Sequence, residues 1–284
     1  MAAVLFAALS AALFGAALVT THSGLKYLDA GAGARVSIPS ATLLFCLLAP
    51  GIDWAGWQDD AVWLFAVVGL FFPAAVTLLT FEANRQLGPN VTGAIGSTAP
   101  LFAVLSAALF LGESLGAREF LATTLIVLGS VALSRPQAGE AARHRNRALW
   151  LPWTGAALRA AAQVVSKAAL VLWPSPLAAA LVGYTVSSAA VWVVARGRAP
   201  NAPPFNRRGF FWFAATGALN GAAVLSLYNA LASGPVHVVS PIAATYPLFT
   251  LGLSAALLRD VRVSGILVVG VLLTVTGVAV LVAV

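Results

Sequence analysis

GAIGSTAPLFAVLSAALFLGE (residues 93–113) and IAATYPLFTLGLSAALLRD (residues 242–260) follow one plan. Each is an apolar run interrupted by Pro-Leu-Phe and closed by an acid, Glu113 or Asp260. A proline inside a helix removes one hydrogen bond and frees the carbonyl four residues back, here Gly96 and Ala243. Either the two kinks only shape a bundle, or they open backbone and side-chain groups to a cavity.

The echo extends well beyond these stretches. Phe81-Glu82-Ala83 stands opposite Tyr228-Asn229-Ala230, and Gly88-Pro89 opposite Gly234-Pro235, at spacings of 147 and 146 residues. A tandem repeat is therefore expected, with units 1–134 and 149–284 joined by the basic linker 135–148.

Composition fixes the solvent. Of 284 residues 60% are hydrophobic and 9% charged, and the mean hydropathy is +0.93. Soluble domains carry about 25% charged residues, so this much apolar surface calls for lipid. Segments of about 20 apolar residues cross a bilayer. Ten are predicted, at 2–20, 34–50, 61–84, 90–111, 117–134, 149–172, 175–195, 209–232, 236–258 and 263–284, bounded by Gly, Pro and charge. None alternates as barrel strands do. The expected fold is an all-α integral membrane protein. The first segment lacks a basic leader and reads as a span. The single Cys46 reads as apolar filler, without a disulfide framework.

Five spans per repeat is an odd number, so the second unit should be inverted relative to the first. Charge agrees. The loop 51–60 holds Asp53, Asp59 and Asp60 and no cation, whereas its counterpart 196–208 holds Arg196, Arg198, Arg207 and Arg208. Thirteen of the sixteen Lys and Arg fall on the side of that second loop, Arg118 falls opposite, and Arg159 and Lys167 lie within a span. The positive-inside rule then places the basic loops in the cytoplasm and both termini outside. The basic balance is topology, and no nucleic-acid partner is expected.

The stretch FEANRQLGPNVTGAIGSTAPLFAVLSAALFLGESLGAREFLATTLIVLGSVAL (81–133) resembles the EamA-type repeat of the drug/metabolite transporter superfamily. It has that repeat's aromatic-x-Ala opening, mid-helix Pro-Leu-Phe, Gly-Glu and closing Leu-Gly helix. The second half matches more loosely, with Arg259-Asp260 for Gly-Glu. Within the family the chain looks most like the YddG-type amino-acid exporters of bacterial inner membranes. The resemblance implies ten helices, a cavity between spans 1, 3, 4, 6, 8 and 9, mobile gates in spans 2 and 7, and support from spans 5 and 10. It also implies outward movement of small metabolites. The family is commonly described with cytoplasmic termini; the charge count here implies the reverse.

Candidate binding residues follow from polar groups on helix faces, because transporters built from inverted repeats bind cargo near the midplane at the repeat interface. Arg159, Gln163 and Lys167, at i, i+4 and i+8, share one face of span 6. Two cations in a span need water, protein or a counter-ion. Thr77, Thr80 and Asn84 stripe span 3. Ser97, Thr98, Thr245 and Tyr246 adjoin the Pro100 and Pro247 hinges. Asn220, Tyr228 and Asn229 lie on span 8 and Ser10 on span 1. Glu82, three residues from Arg85, is either an intrahelical ion pair or a proton-coupling acid. His22 and His237 have no second ligand at metal spacing, so no metal is expected. Glu113 reads as a structural helix-end residue.

With no ATP-binding motif and no cofactor expected, transport should run on a gradient. A monomeric exporter of neutral or aromatic amino acids in the inner membrane is the leading expectation. A multidrug or nucleobase exporter is the alternative, favoured if aromatics such as Trp63, Phe81 and Tyr228 dominate the cavity. An intramembrane enzyme is a distant third, lacking paired acids or a nucleophile with its base.

Overall fold

The computed structural model describes residues 1–133, 148–196, 206–258 and 265–282. The linker arginines, Arg198 and the Arg259-Asp260 pair lie outside these residues. Twelve α-helices are described: α1 (Ala2–Gly24), α2 (Ala30–Leu48), α3 (Asp59–Phe71), α4 (Ala74–Gly96), α5 (Ala99–Leu111), α6 (Ala117–Leu133), α7 (Trp150–Leu172), α8 (Pro176–Arg196), α9 (Arg207–Ser233), α10 (Val236–Ala243), α11 (Tyr246–Leu258) and α12 (Gly265–Val282). No strand occurs among the described residues.

Among the described residues, eight stretches are long and apolar enough to cross a membrane, and α5 is a shorter apolar helix. The ten predicted spans map onto these helices, with α3 and the start of α4 forming span 3, and α10 with α11 forming span 9. The surface fits lipid. Leu109, Phe110, Leu47 and Trp63 are more than two-thirds exposed, while the buried positions between helices are dominated by Ala, Gly and Ser. Small residues at helix contacts let backbones approach where no hydrophobic drive separates helix from lipid.

The packing displays a two-fold relation between halves. α1 packs on α9 as α4 packs on α7, α2 on α9 as α8 on α3, and α1 on α11 as α7 on α5. The self-related pairs, α2 with α8 and α6 with α12, also touch. Both cross antiparallel. A Cβ on Gly129 would meet the Gly270 carbonyl at 2.7 Å, and one on Gly277 the Ala122 carbonyl at 2.9 Å. Equivalent helices that run in opposite directions make the repeats inverted, as charge and odd span number predict. Glycine is required at this crossing because any side chain would push the backbones apart.

The breaks differ from the sequence reading in two places. Span 3 is interrupted at Phe72-Pro73, inside a run that reads as uninterrupted apolar sequence. Ser187 of α8 bridges this break, donating to the Gly69 carbonyl and accepting from the Ala74 amide at 3.3 Å. Pro73 cannot donate, so an outside hydroxyl satisfies what the helix cannot. Conversely, α4 keeps its helical pattern from Ala74 to Gly96, through the expected stop at Gly88-Pro89. The chain still reverses there. Leu79 lies 3.9 Å from a Cβ placed on Gly155, and Leu87 packs with Ala148 and Leu151, so α4 first descends past the start of α7. Gly96 is then back beside Tyr246 in the pocket that holds Arg159.

The Pro-Leu-Phe echoes are full breaks and not kinks. α4 ends at Gly96 and α5 begins at Ala99; α10 ends at Ala243 and α11 begins at Tyr246. Pro100 and Pro247 each occupy the second position of a new helix, where the missing N–H is one the helix leaves unpaired anyway. The turns match atom for atom: Thr98 Oγ1 donates to the Ile95 carbonyl at 2.6 Å, and Thr245 Oγ1 to the Ile242 carbonyl at 2.7 Å. Gly112 closes α5 in the left-handed region at φ 66°, which a Cβ would strain.

Candidate substrate cavity

A cavity opens between the two repeats. One wall is α1, through Phe14, Leu18 and Thr21; the next is the span 3 break and α4, through Phe72, Pro73, Val76, Thr77, Thr80 and Phe81. Opposite stand Pro152, Gly155 and Arg159 of α7, Tyr184 of α8, Asn220 and Val224 of α9, and Tyr246 at the start of α11. These positions belong to the later part of α1 and the early part of α7, so the cavity lies towards the end of the bundle that carries the basic loops. Span 7 contributes to it through Tyr184, alongside the spans that the resemblance implied.

Arg159 is the cation of this cavity. Its guanidinium sits 5.7 Å from the centre of the Phe14 ring. Among the described residues it makes no ion pair or hydrogen bond. A charge in a span is costly without a partner, and the Phe14 face supplies only part of one. Tyr184, buried to 2% exposure, stacks edge-on against Phe45 at 5.1 Å and leaves its hydroxyl unpartnered. An unpaired guanidinium and an unpaired phenol along one pocket form a donor set for an oxyanion.

Five of the sequence candidates line this cavity: Thr77, Thr80, Arg159, Asn220 and Tyr246. Gln163 faces a small neighbouring pocket that shares Phe14, Gly96, Arg159 and Tyr246, with Pro100 in its wall. Its Oε1 is buried and unpartnered.

The remaining candidates sit elsewhere. Lys167 leaves the shared face of α7, because its ammonium donates to the Leu231 and Gly234 carbonyls at 2.7 and 3.0 Å. It caps the C-terminus of α9, where the helix dipole favours a cation. Directly after that end, Glu113 accepts from the Val236 and His237 amides at 2.8 and 3.0 Å and meets His237 Nδ1 at 2.9 Å, capping the N-terminus of α10. The Gly234-Pro235 junction is thus held by a cation on its carbonyl side and an anion on its amide side, and Glu113 is structural as its sequence position indicated. Glu82 is paired with Arg85, whose Nε donates to it at 2.8 Å, and with Gln86.

Ser10 donates to the Ala223 carbonyl at 2.8 Å, tying α1 to α9. Asn229 donates to the Leu225 carbonyl at 2.8 Å and borders a second vestibule, at the opposite end of the bundle, with Asp53 and Trp173. Ser97 and Tyr228 are buried outside the lining, and Asn84 keeps an unpartnered Oδ1 away from it. Thr98 and Thr245 cap the breaks. Trp63 faces lipid at 71% exposure. Sequence reasoning missed Tyr184 and Phe14. A phenol isolated in the middle of an apolar span was the available signal for the first. Among the described residues no group of His, Cys, Asp or Glu is placed to hold a metal.

The comparisons agree with this architecture. No curated protein matches the chain. A solved crystal structure of a protein superposes on 98% of this chain and 95% of its own, with a TM-score of 0.79 at 19% identity, a likeness of fold alone. The profile of the EamA-like transporter family matches residues 1–135 and again 147–283, one match per repeat. The chain therefore belongs to the EamA-like transporter family, whose members are multi-pass membrane transporters of small molecules and not enzymes.

Proposed function

We propose that the protein exports small metabolites that carry a carboxylate beside an apolar or aromatic body, neutral and aromatic amino acids among them, by alternating access. The observation that carries this reading is Arg159, a guanidinium without a protein counter-ion in a cavity between the repeats. A bidentate carboxylate is the partner its planar fork fits best. Tyr184, Thr77, Thr80, Asn220 and Tyr246 are the neutral polar partners of the cargo, with Gln163 one turn deeper. Pro100 and Pro247 mark the breaks about which the walls rearrange.

The cavity's position supports export. It lies at the end bearing the basic loops, which the positive-inside rule puts in the cytoplasm of a bacterial inner membrane. A state loaded from that side suits export. None of the described acids lines the cavity, which favours movement down the cargo's own gradient over proton antiport. The aromatic wall of Phe14, Phe72 and Phe81 supports a second reading, a lipophilic drug or nucleobase exporter of the same superfamily.

Purified protein in proteoliposomes, preloaded with labelled amino acids or apolar monocarboxylates, tests the two readings. Release of carboxylate cargo that depends on Arg159 is the expected result. Movement of a lipophilic cation or a nucleobase, with no carboxylate moved, would sink the carboxylate reading.

A further inference from the structure

Resting on the carboxylate reading of the Arg159 cavity, we infer that its preferred cargo is a monoanionic acid without an ammonium group, a 2-oxo, 2-hydroxy or simple apolar carboxylate, and that a zwitterion is the weaker ligand.

Fixed charge around the pocket is of one sign. Arg159 is its one charged lining residue among those described, and no carboxylate lines it. Glu82, next in sequence to the lining residue Phe81, is held by Arg85 and Gln86 and is not part of the lining. Backbone carbonyls at the broken helices would be the next place to seat an ammonium. Two of them are already engaged twice: the Ile95 carbonyl accepts from the Thr98 amide and hydroxyl, and the Ile242 carbonyl from those of Thr245.

What the breaks do offer is the opposite sign. α5 and α11, each 13 residues long, begin at these turns, and Tyr246, the first residue of α11, lines the cavity. Helix N-termini favour anions. The free Tyr184 hydroxyl adds a donor beside Arg159. Around them stand apolar walls, Leu18, Val76 and Val224 with the three phenylalanines, and neutral groups, Thr77, Thr80 and Asn220, suited to a keto or hydroxyl substituent.

An amino acid would bring its ammonium within a few ångströms of its own carboxylate, hence close to Arg159. It would lose hydration there without gaining an anion, and only neutral acceptors, the Thr77 and Thr80 hydroxyls, Asn220 and Gln163, and ring faces would remain to receive it. Desolvating a charge without a counter-charge is unfavourable.

Three ligands that share one aromatic body separate the possibilities: 3-phenylpropionate, phenylalanine and phenethylamine, compared as inhibitors of tracer binding and as cargo in proteoliposomes. The expected order places 3-phenylpropionate at least about tenfold tighter than phenylalanine, with phenethylamine inert. Phenylalanine binding as tightly as its deaminated analogue, or any uptake of phenethylamine, would overturn the inference while leaving the carboxylate reading intact. Failure of every carboxylate would defeat that reading and this inference together. Tyr184→Phe, which retains the ring against Phe45, should weaken 3-phenylpropionate by about three- to tenfold with its melting temperature unchanged. If this variant does not fold, the ligand order on the native protein still decides.

Discussion

Thr42 Oγ1 and Ser188 Oγ lie 2.7 Å apart, and the two residues are separated by 146 positions in the chain. That separation is within one residue of the 147 that relates most matched positions of the repeats, so the two stand at nearly equivalent places. Such positions can touch only close to the axis relating the halves, and α2 and α8, the expected gates, cross there. Thr42 is tied further to the Ile38 and Tyr184 carbonyls, at 3.1 and 3.0 Å. Tyr184 therefore connects the axis to the cavity through both its backbone and its ring.

The first prediction follows from that contact. Thr42→Val with Ser188→Ala should show a coupling of about 0.5–1.5 kcal/mol in a double-mutant cycle, the range of interhelical hydrogen bonds in membranes. The cycle is read from unfolding in mixed micelles. Strict additivity of the two variants would mean that the hydroxyls do not hold the axis together.

Arg159→Gln should retain the fold, because no described protein group depends on the guanidinium. Carboxylate affinity should fall about 10- to 100-fold, the worth of a charge-assisted hydrogen bond. Arg159→Lys, with the charge but not the fork, should fall between. Transport kinetics with both variants check this; an Arg159→Gln protein that moves carboxylates with an unaltered KM would remove Arg159 from the site.

Lys167→Met tests a different role for a residue on the same helix. Loss of the ammonium leaves the Leu231 and Gly234 carbonyls without their donor, at a cost of about 1–3 kcal/mol. The melting temperature should drop while KM for cargo holds. Glu113→Gln should lower stability in the same way, since it weakens the bonds to the first amides of α10. A Lys167→Met variant with native stability and a raised KM would restore Lys167 to the cargo face.

The contrast between Arg159 and Lys167 shows where the sequence was legible. Span lengths, the repeated Pro-Leu-Phe and the reversed loop charges are local or periodic signals, so the inverted ten-span bundle could be read from them. Helical spacing also put Arg159, Gln163 and Lys167 on one face. What parts them is a third party: the end of α9, far along the chain, takes Lys167 as its cap. The Phe72-Pro73 break was hidden for a similar reason. Its counterpart, Asn220, lies 147 residues later within an unbroken α9, and the serine that bridges the break comes from α8. Tyr184 is notable only for a partner it lacks, which no sequence pattern records.

Gly129→Leu should disrupt the crossing of α6 and α12. The added side chain meets Thr274 and the Gly270 backbone, and neither can withdraw without parting the helices. Overpacking at a close backbone contact costs about 1–3 kcal/mol or more. Because these helices stand outside the cavity, the folded fraction should keep its cargo affinity while yield and thermal stability fall. Lost affinity in protein of normal stability would give this pair a direct part in transport.

The orientation of the bundle yields the last prediction. Every described loop at the end that holds Asp53, Asp59 and Asp60 lacks a surplus of cations, and the other end carries Arg207 and Arg208. Ala55 and Arg208 are exposed at these opposite ends, so each can report its side. Cys46, the chain's single cysteine, is exposed and must be replaced first. In a Cys46→Ala background, Ala55→Cys should react with an impermeant maleimide on intact cells, whereas Arg208→Cys should react only after permeabilisation. The reverse pattern would turn the bundle over and put the Arg159 cavity on the outer side. The described conformation would then load from outside, and its support for export would be lost.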